Sequence, residues 1–215
     1  DGSDVGLANF RIDAFTWLSP TSLLLSFDAS GAVPGVPGTV DDSDIVRFAA
    51  TAVGSDTAGT FSLYFDGSDV GLTVAGEDLD AVEFLPNGHL LLSTINTFAV
   101  TSAGGEDEDL LEFVPTSLGP TTSGTFSLYF DGSDVELTAA GEDVDAVAVD
   151  ALGRLYLSTY NNFSVPGISG QDDDVFVFTP STLGATTAGT FSPTPYFDGA
   201  AFGLAASDVF AIDLP

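Results

Sequence analysis

The stretch Gly59–Val70, GTFSLYFDGSDV, returns without a change at Gly124–Val135, 65 positions later. Twelve identical residues at that separation mark an internal repeat, and a repeat limits the fold before any local propensity does. The acidic triplets Asp42-Ser43-Asp44, Asp107-Glu108-Asp109 and Asp172-Asp173-Asp174 keep the same spacing, as do Gly76-Glu77-Asp78 and Gly141-Glu142-Asp143. The third copy gains two residues in GTFSPTPYFDG, 189–199. The spacing predicts three units, about 8–72, 73–137 and 138–204, then a partial fourth at 205–215. The opening DGSDVGL reads as the tail of such a unit.

Within the second unit, four apolar stretches alternate with turn signals: DAVEFLP (80–86), HLLLSTIN (89–96), DLLEFVPT (109–116) and GTFSLYFDG (124–132). Asn87-Gly88 joins the first two, and both residues tolerate the positive φ of a tight hairpin turn. Leu152-Gly153 holds that place in the third unit. No segment sustains a 3.6-residue period, so essentially no helix is expected. The fold class expected is all-β: tandem four-stranded antiparallel blades, propeller-like, with about 13 strands. A β-sandwich is the competing architecture, but it requires no regular repeat. Runs such as LLLST are apolar on both faces, as sheets stacked on sheets require. Three units are fewer than the roughly four to eight that close a propeller. The closing DVFAIDLP, 208–215, matches the first strand of a unit, DVDAVAVD, 143–150. It is therefore expected to be an unpaired strand, and exposed edges invite pairing with another chain.

Thirty-two acidic residues face three arginines (Arg11, Arg47, Arg154), no lysine and one histidine, for a formal charge of -29. That field repels nucleic acid and anionic membrane and attracts cations. A composition 44% hydrophobic with 18 Phe argues against disorder. Without Cys there is no disulfide or thiolate chemistry, and no apolar run is long enough to span a bilayer. In an up-and-down meander, alternate loops share an end of the sheet, and the acids sort to one end. Asp42, Asp44, Asp66, Asp69, Asp78, Asp80, Asp107, Asp109, Asp131, Asp134, Asp143, Asp145, Asp172 and Asp174 are the candidate metal ligands. Carboxylates one or two residues apart in Gly-rich loops suit Ca²⁺, a hard cation bound by oxygen. Turn chemistry also favours Asp, Gly and Ser. Halophilic adaptation would spread acids over all exposed surface, whereas here they collect at one end. No loop follows the EF-hand or nonapeptide calcium pattern. The opposite end is rich in Ser and Thr, as O-linked sugar or ordinary turns would have it, and Asn162-Phe163-Ser164 is an N-glycosylation sequon.

Catalysis finds little footing. The sole imidazole, His89, follows a hairpin turn at the acid-poor end and reads as a solvated turn residue. Trp17 reads as packing. Paired carboxylates for glycoside hydrolysis need one asymmetric pair, whereas these are repeated. No enzyme is expected.

The phrases FDGSDVGL, GEDxDA and a Gly turn before LxLST, with the closing YFDGAAFGLAASDVFAIDLP, resemble the propeller-type repeats appended to larger secreted and cell-surface bacterial proteins. The resemblance implies an extracellular β module and no defined activity. In the first unit RIDAFTWL replaces the acidic strand entry, and Phe210 stands where Asp80 and Asp145 stand in their units. The combined expectation is an extracellular structural protein, processed to begin at Asp1, that self-associates into an oligomer or filament through terminal strand edges with Ca²⁺ on its acidic face. The alternative is a Ca²⁺-dependent module binding a surface glycan, with a calcium-dependent hydrolase third.

Overall fold

The computed structural model describes residues 1–214. It is all-β, and among these residues helix is confined to four short 3-10 turns, Gly2–Val5, Ser68–Val70, Ser133–Val135 and Gly199–Phe202. The first sheet is a meander of β1 (Ile12–Ser19), β2 (Ser22–Phe27), β3 (Ile45–Ala52) and β4 (Ala58–Phe65). The second unit forms β5 (Ala81–Phe84), β6 (Leu90–Ser93), a small hairpin of β7 (Phe98–Val100) and β8 (Ala103–Gly105), then β9 (Leu110–Ser117) and β10 (Ser123–Phe130). Its sheet order is β5-β6-β9-β10. The third repeats it with β11 (Ala146–Val149), β12 (Leu155–Ser158), the hairpin β13 (Phe163–Val165) and β14 (Ile168–Gly170), β15 (Asp174–Thr182) and β16 (Ala188–Phe191). The short β17 (Phe197–Asp198) adds to β15. The 17 strands exceed the expected number because of the two hairpins and β17. The strand expected at Asp208–Leu214 forms no ladder, and Pro215 lies outside the described residues.

The hairpin turn foreseen at Asn87-Gly88 is present: Gly88 has φ 87° and its N–H donates to the Leu85 carbonyl. On β6 the side chains alternate between two cores. Leu91 joins one apolar cluster with Val147, Leu155 and Phe176, while Leu90 and Leu92 join another with Leu24, Ile45 and Phe65. The run LLL is thus apolar on both faces because a sheet lies on each side. Full burial of each such side chain is worth about 1.5–3 kcal/mol.

Neighbouring units are clasped by one hydrogen-bonding device repeated three times. The Asp4, Asp69 and Asp134 carboxylates accept from the backbone N–H groups of Thr57, Thr122 and Thr187, at 2.9, 2.8 and 2.8 Å. Each threonine lies in the turn before an outer strand, β4, β10 or β16. Beyond Gly199–Phe202 the chain enters a fourth position with Asp208–Leu214, and among the described residues the sheets do not close into a propeller. That segment lies against its own chain. Val209, Ile212 and Leu214 pack on Ala148, Tyr156, Val175 and Val177, and Asp213 accepts from the Thr16 hydroxyl and the Trp17 N–H, both at 3.2 Å.

Candidate functional site: an acidic cavity where the first strands meet

The residues leading into β1, β5 and β11, together with Phe210, converge on one cavity of about 340 Å³. Arg11, Asp13, Asp28, Asp78, Asp80, Asp143 and Asp145 line it with Ile95, Tyr160 and Phe210. The repeat explains the convergence. Asp13, Asp80 and Asp145 hold one position in successive units, and Phe210 holds it in the fourth; Asp78, Asp143 and Asp208 hold the position two residues earlier, and Arg11 holds it in the first.

These two positions meet across the seam between units. Asp78 lies in the field of Asp13, Asp80 in that of Asp143, and Asp145 in that of Asp208. At the fourth seam the Arg11 guanidinium sits over the Phe210 ring, 4.2 Å from its centroid. Three seams therefore hold a carboxyl pair, and the fourth holds a cation on an aromatic face. Backbone bonds keep the register. The N–H groups of Leu79, Val144 and Val209 donate to the carbonyls of Asp42, Asp107 and Asp172 at 3.3, 3.1 and 3.1 Å. This sets Asp42, Asp107 and Asp172 beside Asp78, Asp143 and Asp208.

The carboxyls of this ring are poorly satisfied. One oxygen each of Asp78, Asp80, Asp143 and Asp208, and both of Asp145, are buried without a hydrogen-bond partner. Asp80 and Asp145 are only 6% and 2% exposed. Removal from water, reinforced by neighbouring carboxylates, pushes Asp78 and Asp143 up to about 7 and Asp208 to about 6. Asp80 and Asp145 lie well above the ordinary carboxylate range for the same reasons. Burial and Asp28 push Asp13 up to about 6, against the opposing pull of Arg11. Such a site favours either protons or a bound cation.

Of the other predicted ligands, Asp42, Asp107 and Asp172 lie beside the ring and the rest have local partners. Asp44, Asp109 and Asp174 each bridge two backbone N–H groups: Asp41 with Gly67, Glu106 with Gly132, and Gln171 with Gly199. Asp66 and Asp131 accept from the Ser68 and Ser133 hydroxyls, while Asp69 and Asp134 form the clasps to Thr122 and Thr187. Of the predicted set, Asp78, Asp80, Asp143 and Asp145 come together; Asp13, Asp28 and Asp208 were missed. Aligning the strand entries of all four units, Arg11 and Phe210 included, is the signal that would have found Asp13 and Asp208; Asp28, just after β2, carries no such signal. Among the described residues no three His, Cys, Asp or Glu side chains are gathered tightly enough to ligate a metal by themselves. An ion in the ring would take carbonyl or water oxygens as well.

At the far end of the same strands, Glu83 accepts from the Thr16 hydroxyl and the Val149 N–H at 3.0 and 3.3 Å. Burial pushes this carboxyl up to about 7. His89, expected as a solvated turn residue, lies 2.7 Å from the Glu112 carboxylate and is half-buried. Trp17, expected as packing, is 40% exposed beside Asp213. No protein-family profile matches the chain, and no curated protein resembles it significantly.

Proposed function

We propose that the chain is an extracellular, non-catalytic β-repeat module of the propeller type that binds Ca²⁺ in the ring of aspartates. The observation that carries this reading is the set of buried, unpartnered carboxylate oxygens on Asp78, Asp80, Asp143 and Asp145 around one cavity, with that of Asp208 beside Asp145. Uncompensated buried carboxylates are costly, and a hard divalent ion with six to eight oxygen ligands relieves that cost. Asp80 with Asp143, and Asp145 with Asp208, are the pairs placed to share an ion, and the wide cavity leaves room for bound water. An ion held there ties the second unit to the third, and the third to the C-terminal segment. Self-association by donation of Asp208–Leu214 draws less support, because that segment is held by its own chain.

Calorimetric titration with CaCl₂ after exhaustive chelation tests the assignment. Saturable binding and a raised melting temperature are expected, since a ligand at 100 times its Kd stabilises by about 2.7 kcal/mol. The double variant Asp80→Asn, Asp145→Asn removes both responses. A chain whose melting ignores Ca²⁺ across the millimolar range defeats the proposal.

A further inference from the structure

The cavity ringed by aspartates is not lined by acids alone, and the repeat sets its apolar members among them. Two residues after Ser26, Ser93 and Ser158, towards the end of the second strand in each unit, come Asp28, Ile95 and Tyr160. Their backbone N–H groups donate to the carbonyls of Arg11, Asp78 and Asp143 at 3.3, 3.0 and 2.9 Å. One bond, made three times, thus seats each of these residues beside a strand entry on the cavity wall. In the second and third units it brings an apolar side chain, Ile95 or Tyr160, to an aspartate, Asp78 or Asp143. Neither Ile95 nor Tyr160 joins an apolar core cluster.

The charges are spaced by the same repeat. Asp13 meets Asp78 at one seam and Asp80 meets Asp143 at the next. Among the described residues no three acids are gathered tightly enough to hold a metal by themselves. Asp80 and Asp145, 6% and 2% exposed, nonetheless keep buried oxygens without a hydrogen-bond partner on the cavity wall. Buried acceptors of this kind call for a donor, and an ammonium group brings three N–H donors together with its charge. The chain already seats one organic cation here: the Arg11 guanidinium lines the cavity over the Phe210 ring, 4.2 Å from its centroid. Among the described residues it forms no ion pair with the aspartates around it.

We propose that this cavity also binds an aliphatic diammonium ion, a ligand of the free polyamine class. One ammonium end takes the carboxyls of one seam, the other end those of the next, and the methylene chain between them runs along Ile95 and Tyr160. Charge-assisted hydrogen bonds to carboxylate oxygens hold the ends. The Tyr160 ring adds cation–π attraction, and burial of the methylenes adds a hydrophobic contribution. A metal ion engages the carboxyls only, whereas a diammonium ion engages the carboxyls and the apolar side chains seated between them. The inference shares its cavity with the Ca²⁺ assignment but does not require Ca²⁺ to bind; where both bind, they compete.

The test titrates the chelator-treated chain calorimetrically at pH 8 with 1,4-diaminobutane, with n-butylamine and with CaCl₂, in about 150 mM NaCl so that exposed acids are screened. Saturable binding of the diamine, about 10-fold or more tighter than that of the monoamine, is expected, with displacement by CaCl₂. The double variant Asp80→Asn, Asp145→Asn abolishes diamine binding. Asp56→Asn with Glu136→Gln, which removes as much charge from exposed positions, leaves it unchanged. Ile95→Thr with Tyr160→Ser weakens the diamine by about 10-fold and leaves CaCl₂ binding as it was, which separates this proposal from the metal assignment. Diamine binding no tighter than that of the monoamine, or indifferent to Asp80→Asn, Asp145→Asn, overturns the proposal. Binding of CaCl₂ with no response to the diamine overturns it too, as does binding of both without competition. A diamine response lost in the double variant, in a chain that ignores CaCl₂, upholds it and overturns the metal assignment alone. A chain that binds neither overturns both.

Discussion

At the scale of single residues, the repeat turns each departure from its pattern into a measurable difference. Asp173 is fully buried and neither of its carboxylate oxygens has a partner, whereas the first unit has Ser43 there, whose hydroxyl donates to the Leu72 carbonyl at 3.3 Å. Buried unsatisfied groups cost about 1–3 kcal/mol. Asp173→Ser is therefore expected to raise the melting temperature. Among the described residues Glu136 is the one non-glycine residue with positive φ, at 74°, where the other units have Gly6, Gly71 and Gly203. A left-handed L-residue is strained by about 1–2 kcal/mol, part of which glycine gives back through its looser unfolded chain. Glu136→Gly is expected to gain roughly 0.5 kcal/mol of unfolding free energy, read as a higher denaturant midpoint, and Gly71→Glu to lose at least as much. Gly132 serves a different need: an added Cβ would meet the Glu108 carbonyl, so alanine there has to displace backbone.

At the scale of the element, the seams between units decide the electrostatics. Asp13, Asp78, Asp143 and Asp208 bind their protons with values of about 6 to 7 when folded, against the ordinary carboxylate value of 3.8. The folded state then holds more protons than the unfolded one between those limits. Its stability is full below pH 4 with respect to these groups and is lost as pH rises through 6 and 7. In chelator, melts at pH 5 are expected to lie several degrees above melts at pH 8. Added Ca²⁺ restores the loss at pH 8 and does little at pH 5, where protons hold the ring. A pH-independent melt in chelator contradicts this account. The strands themselves were legible in the sequence, because apolar runs such as LLLS and turns such as Asn87-Gly88 act locally. The division of the aspartates was not. Asp69 and Asp80 look alike in a Gly-rich loop, yet one caps a neighbour's backbone and the other leaves a buried oxygen without a partner. The pairs that matter join one unit to the next, so a residue's role depends on the unit across the seam, which a single-unit reading omits.

At the scale of the whole molecule, the two large apolar clusters each join one sheet to the next, so much of the stability is a sum of unit and neighbour terms. The clusters between the first and second sheets and between the second and third each gather many fully buried Phe and Leu side chains. The cluster under the C-terminal segment has only four buried members, Ala148, Tyr156, Val175 and Val177. Native-state hydrogen exchange is expected to show this gradient. Protection is highest in β6, β9 and β12, lower in the outer strands, and lowest at Ala211–Leu214. Truncation before Asp208 should thus cost far less than any deletion within β6 or β12.

Pulled by its two ends, the chain would not give way all at once. The last seven described residues are held by side chains and one backbone bond, with no ladder to shear, so they would peel at low force and leave three sheets standing. The Arg11–Phe210 contact breaks in that first step. A molecule built this way carries its own slack: a short length paid out under tension before the first core is disturbed.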